Sequence, residues 1–300
     1  MKESNIRAQL LVLMAAVLWG TTGSAQAFAP NNANPMVIGA LRMAIGGTVL
    51  VFMAGIKGSF KSEDKLDKKL LLIASLCMAL YQPLFFSGVS KTGVALGTVL
   101  ALGSAPVFSG CIEYFMGKNL SRRWVIATTL SIVGCVLLFG GQDSMDMNIL
   151  GAILSLGAGL SYAVYASVSR KLFQNSQREL INGLVFFISA IILSPILFIN
   201  DLSWVISTRG IITTLHLGII TTAIAYTLFA HGLVSISTPK AVTLTLAEPL
   251  TAAILGVLVF KEKLTFISMI GVLLLFLGLI INSYEGKEKS KKIINEEICN

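Results

Sequence analysis

Ten stretches of about twenty residues each, apolar on nearly every side, leave this 300-residue chain few ways to fold. They fall at 8–29, 36–56, 70–90, 92–116, 124–140, 149–169, 180–199, 211–232, 239–260 and 265–284. A helix at a protein–water boundary carries one apolar stripe, whereas 125–139 and 272–281 are apolar almost all round. Composition agrees: 55% of residues are hydrophobic, 13% are charged and mean hydropathy is +0.80. In hydrocarbon every backbone N–H and C=O must find an internal partner, so runs of this length are membrane helices. The expected fold is all-α and integral to a membrane, with ten transmembrane helices. The first run is too long for a signal-peptide core and lacks a convincing cleavage site, so it counts as a span.

Loop charge sets the orientation. Of the 23 lysines and arginines, eighteen fall in the two terminal segments and the loops after spans 2, 4, 6 and 8. Four (Lys91, Arg209, Lys261 and Lys263) fall in loops on the other side, and Arg42 lies within span 2. This bias places both termini in the cytoplasm and the chain in the cell (inner) membrane, facing lipid. The net charge of +8 does not point to nucleic acid, because the basic residues are dispersed among short loops and the tail. The Lys-rich loop 57–69 and Arg122-Arg123 read as orientation and anionic-lipid contacts. The tail, 285–300, is polar and charge-rich and is expected to be disordered.

The two halves repeat each other. Leu-Ser at 120–121 opens a mostly apolar run to Gly134, and Leu-Thr at 264–265 opens another to Gly278, a spacing of 144. Phe85 and Gly88 match Phe229 and Gly232 at the same spacing. Pro106 matches Pro249 at 143, and Leu18 matches Leu160 at 142. Five spans per half is an odd number, so the second half enters the membrane upside down. That is an inverted-topology repeat, with 1–145 and 146–284 as its two units.

The order of these signals resembles the drug/metabolite transporter superfamily, in its EamA-type ten-helix form. The resemblance rests on Leu18-Trp19-Gly20, on Leu41-Arg42, and on the helices holding Pro106 and Pro249. It also rests on Phe260-Lys261-Glu262-Lys263-Leu264 followed by Gly271 and Gly278. It covers residues 8–284, both halves. It implies two inverted five-helix repeats around a central cavity with alternating access. Where the second half has Lys261-Glu262-Lys263, the first has Gly117-Lys118-Asn119, without the glutamate.

Candidate site residues lie where spans are interrupted or polar. Proline removes a helix hydrogen bond, so Pro106 and Pro249 are hinge or cavity-forming candidates, with a simple packed kink as the alternative. Gly93, Gly97, Ala101 and Ala105 on span 4, and Ala241, Thr245, Pro249 and Ala253 on span 9, recur every four residues and form close-packing faces. Glu248 sits near the middle of span 9, where an ionised group costs about 2.5–3.5 kcal/mol. It therefore faces a cavity or a partner, or is protonated. Arg42 is either a substrate-carboxylate binder or a clamp on backbone carbonyls, and its depth allows a pair with Glu248. Trp19, Tyr81, Gln82, Tyr162, Tyr165 and Tyr226 supply flat aromatics and polar tips for an amphipathic ligand, unless they only pack. His231 is a weak candidate for proton coupling beside Glu248, and His216 reads as structural. Glu113 reads as a boundary residue beside Lys118.

Nothing in the chain reads as a catalytic centre, cofactor fingerprint or metal-ligand spacing. Cys77, Cys111 and Cys135 sit in apolar runs, and Cys299 in the tail. The reading is a secondary transporter of small organic metabolites such as amino acids or drugs, with no cofactor; export is the commoner direction in the proteins it resembles, and the residues themselves do not set the direction. The alternative is a membrane-embedded enzyme or lipid-head-group-handling protein, which would need a charged cluster at one interface. Substrate identity, coupling ion and oligomeric state are not written in the residues.

Overall fold

The computed structural model describes residues 2–59, 66–139, 148–174, 178–261 and 263–284. The expected disordered tail, with Cys299, lies outside the described residues, as do 60–65 of the charged loop and Glu262. Ten helices are long and apolar enough to cross a membrane: Asn5–Ala27, Pro35–Ile56, Lys68–Thr92, Val94–Phe115, Arg122–Phe139, Ile149–Leu172, Arg178–Ile199, Thr208–Leu233, Thr238–Phe260 and Phe266–Ser283, spans 1 to 10 below. Each end lies within three residues of its expected position. The protein is a multi-pass membrane protein. Its outer surface suits lipid: Phe115, Phe198 and Ile199 are each more than four-fifths exposed.

Side-chain caps explain where many spans begin. Asn34 accepts from Met36 N at 2.9 Å ahead of Pro35, which tolerates the first helical position because its missing N–H has no helix partner there. Asp67 accepts from Lys69 N and Leu70 N, Asn148 from Gly151 N, Ser207 from Gly210 N and Thr265 from Ser268 N. Spans 3 and 4 are joined by Gly93 alone, at φ +85°, a conformation a side chain would disfavour. Gly93 is therefore a turn residue rather than the first member of the small face on span 4.

Packing follows the pseudo-twofold that an inverted repeat requires. Spans 2 and 7 pack on each other, as do 5 and 10. Span 3 packs on span 6, and its counterpart, span 8, on span 1. Span 4 packs on span 6, and its counterpart, span 9, on span 1. Glycines set the closest approaches. An added Cβ on Gly134 would lie 2.7 Å from Gly271 O, and one on Gly271 2.7 Å from Gly134 O. Two backbones meet there without side chains between them, as small residues permit in lipid. The small face of span 4 has the same use, with Ala101 O 2.6 Å from a Cβ on Gly159 of span 6.

Two spans depart from regular α-helix, and the prolines behave differently. Span 4 runs continuously through Pro106. Span 9 is broken into Thr238–Leu244 and Ala247–Phe260, joined by Thr245 and Leu246. Pro249 falls in the first turn of the second piece, where its missing N–H removes no bond. Span 8 holds a nine-residue π segment, His216–Ile224, which the residue pattern did not signal.

Candidate functional site

Backbone oxygens of the π segment accept from its own threonines and from side chains of two other spans. Thr222 Oγ1 donates back to Leu217 O at 2.8 Å, and Thr221 Oγ1 to the same oxygen at 2.9 Å. Thr221 O accepts from Trp19 Nε1 at 2.9 Å and from Arg42 Nη2 at 3.4 Å, while Arg42 Nε donates to Thr222 Oγ1 at 3.2 Å. Arg42 thus donates to a backbone carbonyl, as the clamp among its two expected roles would. Two of its five N–H groups are engaged, so three have no protein acceptor among the described residues. The pair with Glu248 that the depths allowed does not form.

Above this clamp the expected aromatics converge. Trp19 lies 4.7 Å from Tyr226 and 6.3 Å, edge-on, from Tyr162, ring centre to ring centre. Tyr162 is 6.1 Å from Tyr81 and 6.2 Å from Tyr165. Spans 1, 3, 6 and 8 therefore contribute one continuous aromatic wall, worth on the order of 0.5–1.5 kcal/mol per contact beyond area burial. Phe229, 5.4 Å from Trp19, and Phe186, 4.5 Å from Tyr226, belong to the same wall but were not among the expected residues. For Phe229 the signal was present, since it repeats Phe85, which stacks on Tyr81 at 5.7 Å.

The hydroxyls divide by role. Tyr165 is fully buried and donates to Asn182 Oδ1 at 3.3 Å, and Asn182 Nδ2 donates to Tyr226 O at 3.0 Å. Asn182, on span 7, was missed because a lone buried amide has no periodic signature. Tyr162 differs: its ring is buried and its hydroxyl has no hydrogen-bond partner. Gln82 is buried, with its amide oxygen 3.0 Å from where a Cβ on Gly39 of span 2 would sit.

Glu248 is the second residue of the second piece of span 9, where the partial positive charge of a helix start favours a carboxylate. Its backbone oxygen packs against Gly20 of span 1, 2.8 Å from where a Cβ would sit. The side chain is only half-buried despite its mid-span position, and among the described residues it makes no hydrogen bond or ion pair. It lies within electrostatic range of Arg42, Tyr81, Tyr162 and Tyr226. One unpaired carboxylate and one partly used guanidinium thus lie within electrostatic range of each other beside the aromatic wall.

His231 stands apart from this cluster. Its Nε2 lies 3.6 Å from Glu179 Oε1 and its Nδ1 3.3 Å from Arg178, at the end of span 8. His216 accepts from or donates to Thr21 Oγ1 at 2.8 Å. A surface pocket of about 570 Å³ opens at the other end of the bundle, lined by 30–32, 203–204 and 207–209. Glu113 sits where expected, 3.3 Å from Lys118 Nζ. No group of three or more metal-ligating side chains occurs among the described residues.

Ten membrane helices in an inverted repeat, with one span broken at mid-depth beside unpaired charge, define a membrane carrier. The chain belongs to the EamA-like transporter family, whose sequence pattern matches twice, at residues 6–140 and 149–284. It is 43% identical over 275 residues to an uncharacterized transporter of Bacillus subtilis, YwfM, covering 91% of this chain and 93% of that one. It is 30% identical over 291 residues to the threonine/homoserine exporter RhtA of Escherichia coli, covering 92% and 89%. A probable amino-acid metabolite efflux pump of Escherichia coli is 23% identical, covering 92% and 94%. A solved crystal structure superimposes with a TM-score of 0.80 at 18% identity, covering 91% of this chain and 95% of the other, which shows a shared fold.

Proposed function

We propose that this transporter exports small amino-acid-like metabolites from the cytoplasm by alternating access, with 1–145 and 146–284 rocking around the aromatic chamber. The observation that carries the reading is Glu248: a half-buried carboxylate without a partner among the described residues, within electrostatic range of Arg42, three of whose N–H groups have no acceptor among them. A zwitterion answers both charges at once, its ammonium on Glu248 and its carboxylate on Arg42. Its side chain meets Trp19, Tyr162 and Tyr226, and the orphan Tyr162 hydroxyl offers one further polar contact. The names of the relatives support the amino-acid class. The positive loops support cytoplasmic termini in the inner membrane. The break before Pro249 gives span 9 a place to flex.

Counterflow of a radiolabelled amino-acid panel in proteoliposomes tests this. At least one amino acid should exchange, and Glu248→Gln should cut that exchange about tenfold or more. Exchange of none, or unchanged exchange in Glu248→Gln, overturns the reading.

A further inference from the structure

Two carboxylates at one face of the bundle each hold a cation from the other half and a basic side chain from their own. Glu113, at the end of span 4, binds Lys118 Nζ of its own half at 3.3 Å and Arg170 of span 6 at 3.5 Å. It also accepts from Thr238 N, at the start of span 9, at 3.3 Å. Glu179, at the start of span 7, lies 3.6 Å from His231 of its own half and 2.8 Å from Lys57 at the end of span 2. Alternation of ten spans puts all of these on the face that carries the start of span 1 and the end of span 10. The ion pairs among the described residues are all found there. On the opposite face spans 2 and 7 are joined by a neutral amide pair, Asn34 Nδ2 to Asn200 Oδ1 at 2.8 Å.

We infer that Glu113 and Glu179 are the gating residues of this face, latching the two halves together through Arg170, Thr238 and Lys57. The inference rests on the alternating-access reading. Both carboxylates are shielded from solvent, with side chains 7% and 14% exposed, so their pairs are screened less than surface pairs. Separation of the halves breaks Glu113 from Arg170 and Thr238, and Glu179 from Lys57. Lys118 and His231 travel with their own carboxylates. Glu113 keeps the Lys118 charge, which avoids the large penalty of an unpaired buried charge, and Glu179 keeps its His231 neighbour.

Spin-label distances between Ser121→Cys and Gln174→Cys, with the four native cysteines replaced by alanine, read the gap across this face without substrate. They can therefore fail independently of any transport result. Glu113→Gln and Glu179→Gln should each raise the population of the longer distance about fivefold or more. Lys57→Gln, an exposed change that spares folding, should do the same, as should Arg170→Gln. Lys118→Gln removes only an own-half contact and should leave the distribution unchanged. Unaltered distances in Lys57→Gln and Arg170→Gln, or equal widening in Lys118→Gln, overturn the latch.

Discussion

Gly88 and Gly232 occupy the same crossing in the two halves, at opposite ends of the bundle. A Cβ on Gly88, near the end of span 3, would lie 3.1 Å from Gly151 O at the start of span 6. A Cβ on Gly232, near the end of span 8, would lie 2.5 Å from Ala8 O at the start of span 1. The 144-residue spacing seen in the sequence is therefore a physical equivalence: one helix crossing used twice, inverted.

Glu248→Gln should make the protein more stable while making it a worse carrier. The carboxylate has no protein partner, and neutralising it at mid-depth removes a desolvation cost of about 1–3 kcal/mol. Thermal unfolding in detergent should shift upward by a few degrees. A downward shift would mean that Glu248 supports the fold.

Tyr162→Phe and Tyr165→Phe should separate ligand contact from structure. Tyr165 spends its hydroxyl on Asn182, so its loss should cost about 0.5–1.5 kcal/mol of stability. The Tyr162 hydroxyl has no partner, so its removal should leave stability unchanged or higher and weaken ligand-induced stabilisation. Calorimetry of the two variants with and without the exchanged amino acid checks both.

The glycine crossings should rank by the space they offer. Gly271→Ala drives a methyl to 2.7 Å from Gly134 O and should cost about 1–3 kcal/mol. Gly103→Ala meets nothing nearer than 3.8 Å and should be neutral or stabilising by about 0.4–1 kcal/mol. Unfolding midpoints of the purified variants decide.

Arg42→Met should loosen the π segment locally. Without the guanidinium, Thr221 O keeps the Trp19 indole as its one side-chain donor, and Thr222 Oγ1 loses the Arg42 donor. Amide hydrogen exchange over 216–224 should accelerate about ten- to 150-fold, reflecting a lost charged hydrogen bond of about 1.5–3 kcal/mol. Unchanged protection would show that the π geometry is intrinsic to the segment.

The sequence disclosed what lipid penalises. A polar backbone in hydrocarbon must be helical, so span ends could be placed within three residues, and Glu248, Arg42 and the aromatics stood out against an apolar background. It did not disclose what distant residues negotiate. The π segment is held by Trp19 and Arg42 contacts that lie some 180 to 200 positions away from Thr221. Glu113 finds Arg170, and Lys57 finds Glu179, only after folding, because each pair lies on different spans. Pro106 and Pro249 looked equivalent, yet only span 9 breaks, two residues ahead of the proline's own turn.

The single-residue turn at Gly93 has a mechanical consequence. With one peptide unit between two membrane crossings, spans 3 and 4 have no slack and must tilt as a lever. The wall tyrosine Tyr81 and the gate glutamate Glu113 ride on that one lever, at different distances from its fulcrum. Splicing a few glycines in beside residue 93 would let the two arms swing separately.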